Sequence, residues 1–264
     1  MLIRVYRGNY PKIVQDAQTS KVTFNSDTFS DSTFFLEVQM GYIIATNGLC
    51  RDFTIGDGSV IHALKDINIT VTEGKLTILK GRSGSGKTTL INLLGALDRP
   101  TKGEVLFDGQ DITKLSDAKR DELRRYQMAF VFQSVALMSS MTAYENVDFG
   151  LRLSKFPFDQ REERVKKCLE EVGLGKRMYH RPGELSGGEQ QRVAIARALA
   201  HEPKIIFADE PTAELDSGTS HHIVELFKKL VEEEHMTIVM TTHDPSLLEI
   251  ADRVYTLEDG EIIE

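Results

Sequence analysis

One octapeptide limits this chain more than any other feature: Gly81-Arg82-Ser83-Gly84-Ser85-Gly86-Lys87-Thr88. Before it stands the apolar run Lys75 to Lys80 (KLTILK), which follows a Glu-Gly turn and has the character of a strand. After it, from Thr89 to Leu97, Leu90, Ile91, Leu93, Leu94 and Leu97 recur at helical spacing, and Pro100 is expected to stop that helix. Strand, glycine loop and helix in that order open an α/β unit. The glycines let successive backbone N–H groups turn inward, where a Cβ would bar close approach. The helix then offers uncapped donors and the positive end of its dipole, which favour an anion. The pattern G-x-x-x-x-G-K-[ST] is therefore a triphosphate cradle. Gly81, Arg82, Ser83, Gly84, Ser85 and Gly86 surround the phosphates, Lys87 reaches the β- and γ-phosphates, the Thr88 hydroxyl ligates Mg2+, and Thr89 follows in the helix. The motif does not say which nucleoside is carried.

Two further segments carry chemistry. Lys204 to Glu210 (KIIFADE) is an apolar strand that ends in two acids. A buried strand delivering Asp209 at its C-terminal edge suits a carboxylate facing a metal beside the phosphate loop. Glu210, one residue on, is free to face another way and take a proton from water. Leu185 to Arg192 (LSGGEQQR) precedes that strand by about 20 residues. Ser186 and Glu189 have the spacing of a capping box, with Gly187 and Gly188 baring backbone N–H groups at the positive end of the helix they open. This is a second anion site, without a lysine.

The rest of the chain frames these segments. Residues 1–40 read as an N-terminal extension of unknown role, with Thr19 to Thr33 of loop or weak edge-strand composition. Tyr42 to Ala45 and Ile67 to Val71 read as strands, and residues 134–184 as mainly helical, with Asp159 and Glu162 spaced as a capping box. Helices then precede the runs Ile205 to Ala208 and Thr237 to Met240, and Asp259-Gly260 turns a closing hairpin. The layout is thus β-rich, α/β, helical insert, α/β, with no internal repeat. With 264 residues, 41% hydrophobic and 27% charged, the chain can bury a large core without staples. Its net charge of −8 argues against a non-specific nucleic-acid binder. Cys50 and Cys168 give neither zinc spacing nor a disulfide framework, which points to a reducing compartment. No apolar run reaches the roughly 18 residues that span a bilayer, and the N-terminus lacks a secretory signal.

Together these segments closely resemble an ATP-binding cassette (ABC) ATPase, the nucleotide-binding subunit of ABC transporters, from about Gly41 to the C-terminus. Gln133 in Phe130 to Gln133 is similar to the Q-loop, LSGGE at Leu185 to Glu189 to the family signature, and Ala213 to Asp216 to the D-loop. Thr241 to Asp244 supplies the switch histidine, His243, and Phe53 matches the aromatic that stacks on adenine, where the family usually has Tyr. The resemblance implies a P-loop NTPase fold of ABC type: a RecA-like α/β core, an antiparallel β subdomain and a helical subdomain insert at about 134–184, all within an ATPase domain of residues 41–264. It implies hydrolysis of ATP to ADP and phosphate in a head-to-tail dimer. There the signature and Asp216 of one subunit meet ATP held by the phosphate loop of the other. Thr88, Gln133 and Asp209 organise Mg2+, Glu210 is the general base and His243 contacts the γ-phosphate. The other histidines (His62, His180, His201, His221, His222, His235) read as structural.

The strings Leu97 to Gly103 (LDRPTKG), Arg124-Arg125 and Arg192 to Leu199 (RVAIARAL) resemble the subgroup of macrolide-export, lipoprotein-release, cell-division and antimicrobial-peptide-resistance ATPases. That subgroup implies a separate transmembrane permease, a place on the cytoplasmic face of the cell membrane, and export or release of a peptide, lipid or drug-like substrate. Val135 to Val147, with Leu137, Met138, Met141 and Tyr144, would receive the permease. Two other classes compete. A GTPase would need an N/T-K-x-D guanine reader, and Thr113 to Ser116 (TKLS) lacks its Asp. A soluble ABC ATPase of DNA repair would split the cassette with coiled coils, and one of translation would carry two cassettes; neither feature is present.

Overall fold

Two kinds of strand alternate along the chain, and they build two sheets. The structure, a computed structural model, describes residues 41–263 apart from Glu214 and His243. The expectations for residues 1–40, for Glu214 in the D-loop and for the switch histidine His243 fall outside the described residues.

Strands that mix buried and exposed positions form the first sheet. β1 (Tyr42–Thr54) is its spine, pairing antiparallel with β2 (Val60–Ile67), β3 (Thr70–Thr72) and, after the phosphate loop, β5 (Lys102–Phe107), which carries β6 (Gln110–Asp111). Strands that are buried almost end to end form the second. They are β4 (Leu76–Lys80), β7 (Met128–Val131), β8 (Ile205–Asp209) and β9 (Thr237–Thr241). Such continuous apolar runs suit a parallel sheet covered on both faces. Its order is β11-β10-β4-β9-β8-β7, with β10 (Arg253–Glu258) parallel to β4 and β11 (Glu261–Ile262) folded back antiparallel at the edge.

Alternation along these strands feeds two cores. Ile206 and Ala208 of β8 face one core with Ile238 and Met240 of β9, under α3 (Ala143–Leu153), α4 (Arg161–Glu171), α5 (Gly187–Leu199) and α6 (Ser217–Glu232). Ile205 and Phe207 face the other, with α1 (Lys87–Leu94), Leu123 of α2 (Asp117–Tyr126) and the buried residues of the antiparallel sheet. A short α7 (Pro245–Glu249) follows β9.

Three local expectations fail, each for a visible reason. Helix α1 ends at Leu94, not Leu97, and Pro100 does not stop it: Ala96 takes φ 55°, and the amides of Leu97 and Asp98 both return to the Asn92 carbonyl. Leu97 is consequently exposed. Ile67 to Val71 is not one strand but the end of β2 and the start of β3. The Thr46 hydroxyl bridges the break, donating to Ile67 O and accepting from the Ile69 amide, both at 2.9 Å. Asp159 and Glu162 do not form a capping box. A 3-10 turn covers Phe158–Gln160, Gln160 sits at the N-cap without a side-chain bond, and Glu162 pairs with Lys166 at 2.6 Å. The box forms instead at Thr142 and Glu145, which open α3.

Candidate functional site

The parallel strands place three side chains on one edge. Leu79 of β4 pairs with Thr241 of β9, and Thr241 with Asp209 of β8, so the C-terminal ends of three adjacent strands share one rung. Ligands of open α/β sheets gather at such carboxyl edges. The chain leaves β4 into the loop Gly81–Gly86 and enters α1 at Lys87, with no side-chain cap and no acid in the first turn.

The loop is built around close approach. Gly86 has φ 107°, and a Cβ there would lie 2.7 Å from Ala63 O and 2.9 Å from Leu64 Cδ2 of β2. Only glycine meets both demands. Inside the loop the Lys87 ammonium, 7% exposed, donates to Gly81 O at 2.8 Å and Arg82 O at 3.0 Å. It also lies 3.8 Å from Glu210 Oε1.

Thr88, Asp209 and Glu210 converge here although 121 residues separate the first two. The Thr88 hydroxyl donates to Asp209 Oδ2 at 3.0 Å, while the Thr241 hydroxyl donates to Oδ1 at 2.5 Å. Glu210 turns away from the strand with φ 45°, its amide donating to Thr241 O at 3.1 Å and Oγ1 at 2.9 Å. Gln133 lies two residues past β7, at the same edge, and is exposed. Beside it Phe130 stacks on Phe132 and on Phe207 of β8, with centroids 5.8 and 5.4 Å apart.

These residues fit a triphosphate and its divalent cation. The loop is packed so closely that a Cβ at Gly81 would meet Leu257 O and Ser85 Oγ, and one at Gly86 would meet Ala63 O. Ser85 Oγ is buried with no hydrogen-bond partner among the described residues, the kind of atom a bound oxygen satisfies. A hydroxyl and a carboxylate side by side form a hard-oxygen donor set suited to Mg2+.

Phe53 stands on β1 opposite Ile61 of β2, on the hairpin whose Ala63 and Leu64 touch Gly86. The signature lies elsewhere in the subunit. Ser186 caps α5 in a reciprocal box with Glu189, and the Ser186 amide holds the Glu189 carboxyl below the usual range. Ser186 and Gly187 are exposed, but Gly188 is buried, so the two glycines differ. A Cβ at Gly188 would stand 1.9 Å from Thr219 Cγ2. Thr219 belongs to α6 and is held by Asp216, the N-cap of that helix. Its hydroxyl donates to Asp216 at 2.7 Å and its amide at 3.0 Å, which keeps the Asp216 carboxyl low. Signature helix and D-loop cap are thus joined inside one chain. The TKLS stretch serves a turn, with the Thr113 amide and Lys114 ammonium both directed at Asp111.

Sequence reasoning missed Thr241, Thr219 and the Ala63-Leu64 floor. Only Thr241 had a signal, a hydroxyl at the end of an apolar strand.

The family profile described as ABC transporter matches residues 64–213. An uncharacterized ABC transporter ATP-binding protein of Methanocaldococcus jannaschii, MJ1508, is 48% identical over 222 residues, spanning 84% of this chain and 98% of the relative. The lipoprotein-releasing system ATP-binding protein LolD of Syntrophotalea carbinolica is 43% identical over 220 residues, spanning 83% and 96%. Among solved structures, the ATP-binding cassette MJ0796, a dimer in a post-hydrolysis state bound to ADP and Pi, is similar with a TM-score of 0.77 and 40% identity, over 84% of this chain and 97% of that one. Motifs, sheet order and relatives agree: the chain belongs to the ABC transporter family, as one of its ATPases.

Proposed function

We propose that this chain is the ATP-binding subunit of a transporter, acting as a head-to-tail dimer on a separate transmembrane permease at the cytoplasmic face of the membrane. The observation that carries the reading is the meeting of Lys87, Thr88, Asp209, Glu210 and Thr241 on one sheet edge. The relative named for lipoprotein release supports export or release of a peptide, lipid or drug-like substrate. Among the described residues no helix is long and apolar enough to cross a membrane, which suits a permease on another chain.

In this reading the loop amides and Lys87 bind the phosphates, and Phe53 stacks on adenine. Thr88 and Asp209 would hold Mg2+ with help from Gln133, and Thr241 orients the Asp209 carboxylate. The cation, when bound, neutralises charge on the phosphate oxygens. Glu210 takes the proton of the attacking water, and His243 contacts the γ-phosphate. Ser186, Gly187, Gly188 and Glu189, with Asp216, face the nucleotide of the second subunit. Closure then depends on contacts made only to the γ-phosphate, a population shift that hydrolysis reverses. The loop ahead of α3, with Leu137, Met138 and Met141, together with Tyr144 in the first turn of α3, is where the permease docks. Asn146 builds that loop, taking the Met138 amide and donating to the Met138, Met141 and Thr142 carbonyls.

The test is Glu210→Gln. ATP binding is expected to persist while turnover falls by about 10²–10⁴, the usual share of a general base. Near-normal turnover would remove Glu210 from its role. Purifying the chain with its membrane partner would name the permease, and tight ribosome or DNA binding instead would oppose the transporter reading.

A further inference from the structure

Phe53 has an unusual support. It belongs to neither apolar core and is 38% exposed. A tyrosine here could be pinned through its hydroxyl, but phenylalanine offers only its faces. One face is taken: the Arg51 guanidinium carbon sits 4.3 Å from the ring centroid. That guanidinium is itself clamped. Its Nε donates to Asp98 Oδ2 at 2.8 Å and a terminal nitrogen to Oδ1 at 3.1 Å. Asp98 has no freedom to follow the ring. Its amide returns to Asn92 O, its carboxylate accepts the Arg99 amide at 2.7 Å, and its carbonyl accepts from Arg120 at 2.5 Å. The clamp therefore runs from the segment that ends the phosphate-loop helix α1, through Arg51, to the ring.

The geometry also sets a span. Arg51 pairs with Leu64, which touches Gly86 of the loop, and Phe53 follows two residues along β1, roughly 7 Å at strand rise. Ring and phosphate cradle are thus held in fixed relation. We infer that Arg51, fixed by Asp98, is a positioning residue for base recognition: it occupies one face of Phe53 and presents the other to the purine. This rests on the reading of Phe53 as the base-stacking aromatic. The cation acts on the base alone, because the phosphates are held by a loop that Arg51 does not touch.

The experiment compares two probes by titration calorimetry, ATP and inorganic tripolyphosphate, each with Mg2+. Arg51→Met and Asp98→Asn are each expected to weaken ATP roughly three- to tenfold, the scale of a cation–π contact, while leaving tripolyphosphate within about twofold. Arg51→Lys, which keeps the cation without the fork, should fall between. In a Phe53→Ala background, Arg51→Met should add nothing. Equal weakening of both probes would make Arg51 a structural residue and overturn the inference. If Phe53→Ala weakens ATP but Arg51→Met and Asp98→Asn do not, the inference falls and the stacking role of Phe53 stands. If Phe53→Ala leaves ATP affinity unchanged, the stacking reading itself is wrong and the inference goes with it.

Discussion

Gly187 and Gly188 are neighbours with different duties. Among the described residues a Cβ at Gly187 would meet only Leu215 Cδ2, at 3.8 Å, whereas one at Gly188 would be driven into Thr219. Thr219 is held by two bonds to Asp216 and cannot simply turn aside. Gly188→Ala should therefore destabilise the fold by about 1–3 kcal/mol, the range for overpacking, while Gly187→Ala stays within about 0.5 kcal/mol. Urea unfolding of the two variants checks this, and equal costs would contradict the packing. The string LSGGE is legible in the sequence as a capped, glycine-bearing helix start. That one glycine faces solvent and the other a helix from further along the chain is not, because the partner is set by tertiary packing. The same holds at Glu210. The Asp-Glu pair can be read, but the left-handed backbone of Glu210, which costs roughly 1–2 kcal/mol, cannot; the two acceptors that Thr241 offers its amide support it.

Among the elements, α4 shows how periodicity carries reliable information. Val165, Cys168 and Leu169 form its buried face, as their spacing predicts. Burial pushes the Cys168 thiol from its ordinary 9.0 up to about 11. A raised pKa in the fold means stability that is whole below about pH 9 and is lost as pH climbs toward 11. The size of that loss, two pKa units, is on the order of 2–3 kcal/mol. Cys168→Ala costs stability at pH 7 through its cavity, but its deficit against the parent should shrink between pH 9 and 11. Denaturant melts at both pH values measure the gap, and a constant gap would rule the thiol out. Helix ends are less legible. The box at Thr142 and the false one at Asp159 have the same kind of spacing. The difference is that Arg161 donates to Phe156 O and the chain takes a 3-10 turn first. The apolar run Tyr42 to Ala45 marks only the start of strand β1, which runs for thirteen residues, because polar residues in an edge-rich antiparallel sheet leave no apolar run to see.

At the scale of the molecule, the order of elements is plain in the sequence, but the order of strands is not. Nothing local says that β9 separates β4 from β8, and it is this interleaving that brings Thr241 between the phosphate loop and Asp209. The exposure of Ser186 and Gly187 at the head of α5 gives the whole-molecule prediction. Ser186→Arg should block ATP-driven dimerisation in light scattering while nucleotide binding by the monomer is retained, despite about 1 kcal/mol lost with the cap. Equal loss of monomer binding would contradict a site shared between chains. One contact described above reaches further. The phosphate cradle hangs from the parallel sheet and Phe53 from the antiparallel one, and the two sheets abut where Gly86 meets Ala63. Under the stacking proposed for Phe53, a nucleotide lying across that seam would be a tie-rod as well as a fuel, its tail bolted to one slab and its head to the other.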